Sequence, residues 1–259
     1  MSTPALVDVI RKAKARLLRM HFESGVGHIG GNLSCLDLVM YLHHELLSKD
    51  DVFILSKGHA AGALYIALWS LGRLSEEDLK SFHKDGTKLP GHPPPRWLPE
   101  IRFATGSLGH GLPLAAGIAL GKQLKGDPGR VFCLLSDGEW NEGSTWEGLI
   151  FAAHRKLDRL TLVVDLNGLQ GFGATKEVAD LGSLEEKLRA FGVPARTIDG
   201  HDLGAIAEAL SSPEGCPRAV IARTKKGRGV SFMEGKLEWH YLPMTEAQYR
   251  QALEEIGRP

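Results

Sequence analysis

The sequence predicts an α/β chain built on a doubly wound, mostly parallel sheet. Three observations carry that prediction. Short apolar runs rich in Val, Leu and Phe (131–136, 160–165 and 219–223) alternate with segments of helical periodicity. The glycine-rich stretches are clustered between these elements and not inside them, apart from small-residue helices. No fixed-period repeat and no apolar run of membrane-spanning length interrupts the alternation. Such a pattern builds parallel strands joined by crossover helices.

The elements follow in order. Leu6, Val9, Ile10, Ala13, Leu17 and Met20 recur at three- and four-residue steps, which predicts an amphipathic helix with Pro4 in its first turn. Arg and Lys at helical spacing within it exclude a signal peptide. SGVGHIGGN follows and is expected to be a loop in which backbone approaches a ligand. A helix is expected from about residue 35 to 46. A strand is expected over 51–55, ending in Ser56-Lys-Gly-His59, and then a helix over 60–71. Ser75 and Asp78 have capping-box spacing. Five prolines fall between Pro90 and Pro99, which excludes helix and central strand there. Because the segment also carries His92, Trp97, Phe103 and His110, an ordered loop over a site is expected, not a tether. Further helices are expected over 112–124, 144–157, 183–191 and 203–211, with a strand over 195–199. No domain boundary is visible, so residues 1–259 are expected to form one domain.

Composition narrows the function classes. The 259 residues contain 31 Lys plus Arg and 31 Asp plus Glu, which offers no general basic field for nucleic acid. Cys35, Cys133 and Cys216 are too far apart for a CxxC zinc site or a disulfide framework. No GxxxxGK[ST] is present, and no GxGxxG follows a strand. Neither a nucleic-acid partner nor a membrane is expected, and the expected location is cytoplasmic.

Ligands of open parallel sheets sit beyond the carboxyl ends of the strands. Asp137-Gly138 ends one apolar strand and Asn167-Gly168 the next, 30 residues on. Either dipeptide alone is an ordinary turn. Together at equivalent strand ends they suit an oxygen-liganded Mg²⁺ or Ca²⁺ with a diphosphate close to Gly138. His28, His59, His92, His110 and His240 lie in loops, without HExxH spacing for zinc. Neutral imidazoles suit hydroxyl and phosphate recognition and proton transfer. His21, His43, His44, His83, His154 and His201 carry no comparable context.

These residues bring a family into view. Asp137-Gly-Glu-Trp-Asn-Glu-Gly followed by Asn167-Gly resembles the thiamine-diphosphate motif. Gly25-Val-Gly-His28, Ser56-Lys-Gly-His59, Pro90-Gly-His92-Pro and Gly106-Ser-Leu-Gly-His-Gly resemble loops of the transketolase family, in the family's order. Asp137 through Trp146-Glu147 and the ending KGRGVSFME…WH are most similar to the N-terminal subunit of split transketolases.

The resemblance implies a thiamine-diphosphate-binding fold of the diphosphate (PP) type. It implies that Asp137, Asn167 and the Leu169 carbonyl hold the metal. It implies cofactor contacts from His59, Gly106, Ser107, Leu108, Gly138, Asn167 and His240. His28, His92 and His240 would bind the ketose donor, and Glu142 and Glu147 would link the two active sites across a dimer. Ser136 stands where the family usually has glycine, His110 where it often has glutamine, and Leu166 where it often has a polar residue. The family's activating glutamate belongs to a pyrimidine-binding domain, which is absent before Pro259. The expected partner is therefore a C-terminal subunit carrying that domain, in an α2β2 complex. The implied activity is a transketolase-type transferase moving a two-carbon ketol unit from a ketose to an aldehyde. Two alternatives stand beside it: a same-fold subunit of a biosynthetic pathway with a non-sugar or carrier-bound acceptor, and a non-catalytic scaffold. A Mg-dependent phosphohydrolase would need more clustered carboxylates than Asp137 offers.

Overall fold

A computed structural model describes residues 3–211 and 216–257; Pro259 lies outside them. Five parallel strands form one sheet: β1 (Val52–Leu55), β2 (Val131–Ser136), β3 (Leu160–Leu166), β6 (Ala195–Asp199) and β7 (Arg218–Arg223). Their order is β1-β2-β3-β7-β6, so the chain crosses from the β1 edge to β3, passes to the far edge at β6 and turns back to β7, reversing its winding direction. A two-stranded antiparallel hairpin, β4 (Leu169–Gln170) and β5 (Gly173–Ala174), projects after β3. It is too short to leave a periodic trace in the sequence.

Strand alternation sends side chains to two separate cores. Phe53, Leu55, Phe132, Leu134, Val163 and Val220 face one layer. That layer contains α1 (Thr3–Ser24), α2 (Ile29–Tyr41), α3 (Ala61–Ser70), α9 (Leu203–Ser211) and α10 (Glu246–Gly257). Ile54, Val131, Cys133, Leu135, Leu162 and Val164 face the other. There α5 (Gly111–Lys125), α6 (Gly143–His154) and α8 (Leu184–Ala190) pack. α2 is buried from Ile29 to Met40 because α1, α3 and α9 cover it.

Two expectations need correction. The glycine-rich stretch is not all loop, since α2 begins at Ile29 and includes Gly30 and Gly31. A Cβ on Gly30 would stand 3.1 Å from both Lys226 Cγ and Trp239 Cβ, so the missing side chain lets the helix pack against the C-terminal segment. The helix expected over 144–157 spans Gly143–His154, and α7 (Thr175–Ala179), which was not expected, follows the hairpin. The proline-rich segment is an ordered loop: Leu89, Leu98 and Ile101 are buried, and the Tyr65 hydroxyl donates to the Pro90 carbonyl at 2.9 Å.

Ser75 caps α4 (Glu76–Lys80) with both bonds of the capping box in place. Ser75→Ala is expected to cost about 1 kcal/mol, read as a lower urea midpoint with unchanged slope. Burial pushes the pKa of His21, 1% exposed beneath the 25–28 loop, down to about 4. An unfolded histidine takes its proton near pH 6.5, so between pH 6.5 and 4 the unfolded chain binds more protons than the folded one. Stability should therefore fall as pH drops through that window, by up to about 3 kcal/mol from this group. His21→Gln should flatten that part of the pH–stability curve.

Candidate functional site

Parallel pairing brings the carboxyl ends of β1, β2 and β3 to one edge, with Leu55 beside Leu134 and Ser136 beside Asp165. The three loops leaving that edge carry His59, Asp137-Gly138 and Asn167-Gly168. A cavity of about 320 Å³ opens above them. It is lined by His28, His59, His92, Gly106, Leu108, Asp137, Gly138, Glu142, Asn167, Leu169 and His240. Eleven residues singled out in the sequence thus share one wall. Ser107 and Glu147 are exposed outside it, and His110 is exposed with its ring nitrogen 3.0 Å from the Leu108 carbonyl. A cavity of about 700 Å³ adjoins the site on the other side of Asp137 and Asn167, and one of about 590 Å³ lies elsewhere, but neither gathers this histidine set.

The histidines form a tight group. The ring centroid of His28 lies 5.8 Å from that of His59 and 5.1 Å from that of His240, and His59 and His240 are 5.6 Å apart. His28 is held in the left-handed region at φ 65, a conformation that is rare for a side-chain-bearing residue. The strain is fixed from two sides: its amide donates to the His240 carbonyl at 3.2 Å, and its own carbonyl accepts the Asn32 amide group at 2.8 Å. Burial, then neighbouring positive charge, holds His28 below the ordinary histidine range, His59 well below it and His240 at about 3. All three are neutral near pH 7, so each ring has one donor and one acceptor nitrogen.

Lys226 supplies part of that charge, most of all at His240, and was not foreseen from the sequence. It is 2% exposed, lines the cavity and places Nζ 2.9 Å from His240 Nδ1. Burial, with Lys57 nearby, lowers it to about 8. In the sequence it reads as one of a surface-like Lys-Lys pair before glycine. Gln170 and Tyr241 also line the cavity unannounced, and the Tyr241 hydroxyl donates to the Gly171 carbonyl at 2.6 Å.

Asp137 is 4% exposed. Its oxygens accept from the Gly138 amide at 2.9 Å, the Gly168 amide at 2.6 Å and the Thr175 hydroxyl at 3.2 Å. No Lys or Arg forms a direct ion pair with it among the described residues. Burial and the negative Asp165 raise its pKa to about 6. Asn167 donates through Nδ2 to Asp165 Oδ2 at 3.2 Å, which fixes Oδ1 as its acceptor end, and Oδ1 accepts from the Leu169 amide at 3.1 Å. Asp165 is itself sunk at 0% exposure and ion-paired with buried Lys57, and it also accepts from the hydroxyls of Ser34 and Thr224. Burial alone would weaken both charges; the pairing instead raises Lys57 and lowers Asp165. Among the described residues no three His, Cys, Asp or Glu side chains cluster as a metal site. A site built from one carboxylate, one amide oxygen and one carbonyl needs no such cluster. Ser136, in place of the family's glycine, lies within β2 and outside the left-handed region, so its side chain costs the backbone nothing.

Comparison with known proteins decides the family. Residues 13–258 match the model of the transketolase thiamine diphosphate binding domain. The chain belongs to the transketolase family. Its relatives include an apulose-4-phosphate transketolase subunit from Actinobacillus succinogenes, 38% identical over 96% of this chain and 96% of that one. The 6-deoxy-6-sulfo-D-fructose transketolase subunit of a Clostridium species is 38% identical over 90% of each. Among solved structures, transketolase from Campylobacter jejuni superposes with a TM-score of 0.89 at 28% identity. That match covers 99% of this chain and 43% of the other, so the chain spans less than half of that transketolase. The transketolase family binds thiamine diphosphate in this domain, and the α/β sheet described above is its fold.

Proposed function

We propose that the chain is the thiamine-diphosphate-binding subunit of a two-chain transketolase. With a partner subunit that carries a pyrimidine-binding domain, it transfers a two-carbon ketol unit from a ketose to an aldehyde. The observation that carries this reading is the convergence of Asp137, Asn167 and Leu169 with three neutral histidines in one cavity. Its oxygen donors suit a hard cation, and the uncompensated buried carboxylate of Asp137 is the group such a cation satisfies. Asp137, Asn167 and Leu169 would hold Mg²⁺ or Ca²⁺, and the Gly138 backbone and Lys226 would meet the diphosphate. When bound, the cofactor supplies the electron sink for carbon–carbon cleavage.

The protein's own residues have separable tasks. His28 and His92 bind donor hydroxyls. His240, braced by Lys226, presents its other ring nitrogen to an oxygen on which charge develops. Because the rings of His28 and His240 are neutral at working pH, they can pass a proton without first losing one to solvent. The cavity wall on the cofactor's far side is the partner's contribution. An α2β2 complex is supported by the α6 face, where Glu147, Ile150 and Phe151 are exposed together beyond Glu142. Among the described residues no helix is long and apolar enough to cross a membrane. A cytoplasmic location belongs to this reading, and it is supported by the buried thiols of Cys35 and Cys133, which form no disulfide. The test of the site is steady-state ketol transfer by the complex. His28→Ala should raise the KM for the ketose donor by about 10- to 100-fold, the effect of unpairing a buried polar contact. Cofactor affinity, measured by calorimetry, should change by less than about threefold. The opposite ranking would move His28 from the sugar to the cofactor.

A further inference from the structure

Glu139 has no part in the reading above. It lies two residues after Asp137, is 0% exposed and does not line the cavity. Its carboxylate is nevertheless fully used. One oxygen accepts from the Gly109 amide at 2.9 Å and from the Ser56 hydroxyl, and the other faces the Ser136 amide at 3.4 Å. Its backbone carbonyl accepts the Thr145 hydroxyl at 2.8 Å, which ties the residue to α6.

The three donors belong to three different segments. Ser56 follows β1 and leads to His59. Gly109 closes the loop that contains Gly106 and Leu108. Ser136 ends β2 and leads to Asp137-Gly138. These segments are seated directly on one another: a Cβ on Gly58 would stand 2.5 Å from the Thr105 carbonyl carbon. Close packing of this kind fixes distance but not register. A single carboxylate that binds all three segments fixes their relative placement.

We propose that Glu139 is a positioning residue for the metal–diphosphate site. It sets the mutual placement of the His59, Gly106–Leu108 and Gly138 segments without touching the ligand itself. The proposal rests on the reading that the cavity takes a metal-bound thiamine diphosphate. A carboxylate is required because every group facing it is a donor; an amide would turn an N–H₂ toward one of them.

The experiment uses the complex with its partner and the variant Glu139→Gln, which preserves side-chain size. Calorimetry reads the Kd for thiamine diphosphate at saturating Mg²⁺, thermal melting reads the fold, and kinetics at saturating cofactor reads kcat. The Gln variant is expected to melt near wild type, to bind the cofactor about 10- to 100-fold more weakly, as outer-sphere changes commonly do, and to recover most of kcat once saturated. An unchanged Kd in the folded variant overturns the proposal. So does a loss of kcat with Kd unchanged, which would place Glu139 at the reacting atoms. If the Gln variant does not fold, Ser56→Ala removes one donor of the same clasp. A weaker Kd there supports the role, and an unchanged Kd overturns it. Wild-type complex that binds no thiamine diphosphate overturns the functional reading itself, and the positioning role with it.

Discussion

Asp137→Ala is expected to abolish metal-dependent binding of thiamine diphosphate. The carboxylate is the only charged oxygen donor in the set of Asp137, Asn167 and Leu169, and it sits in a buried pocket between two strand ends. Hydrogen bonds to charged groups are worth about 1.5–3 kcal/mol, and a direct carboxylate–cation contact in a low-dielectric site is worth more. The affinity loss should therefore be on the order of 100-fold or greater. Calorimetric titration with Mg²⁺ present and absent reads it: wild type should show a large metal dependence and the variant none. The same substitution should not cost the fold its stability. In the metal-free chain Asp137 is a buried acid whose pKa is raised to about 6. Its charged form at neutral pH opposes folding, and the metal relieves that opposition. Equal cofactor affinity in variant and wild type would remove Asp137 from the metal's ligand set.

The second large effect lies directly behind the site. Lys57 and Asp165 form a fully buried ion pair, and Asp165 also accepts from Ser34, Thr224 and Asn167. Removing one partner strands the other charge in the core, which typically costs about 3–5 kcal/mol. Asp165→Ala is expected to lose that much in urea unfolding. It should also weaken metal binding, because Asn167 then loses the acceptor that fixes which way its amide faces. The double variant Lys57→Met/Asp165→Leu should recover part of the stability, since no lone charge remains, but not the metal affinity. A single-variant loss below about 1 kcal/mol would show that the pair is not desolvated as the structure has it.

Much of this is legible without the structure. The strand over 131–136 falls where its apolar run places it, because a central parallel strand is buried on both faces and is apolar throughout. Asp137 and Asn167 are legible because they close consecutive strands of one sheet and parallel strands end on the same side. The glycine-flanked histidines are legible as a set, although nothing in the sequence gives their close spacing, 5.1 to 5.8 Å between ring centroids for His28, His59 and His240.

What escapes the sequence is non-local. Asp165 reads as the polar end of a strand, and its partner Lys57 is 108 residues away. Glu139 reads as one more acid in an Asp-Gly-Glu turn, and its role is visible only when Ser56 and Gly109 are brought to it. Lys226 looks like a surface lysine because burial of a charge has no local signature. The start of α2 inside a glycine run is hidden because helix propensity argues against it, and close packing on Trp239 and Lys226 overrides propensity there.

The central claim is that the described cavity is one part of a composite site. Its most direct test measures ketol transfer by this chain alone, by the transketolase-type chain carrying a pyrimidine-binding domain alone, and by the two mixed, each with Mg²⁺ and thiamine diphosphate. The composite site predicts turnover from the mixture and negligible turnover from either chain. Robust turnover by this chain alone, or none from the mixture once the two chains are shown to associate, would contradict it.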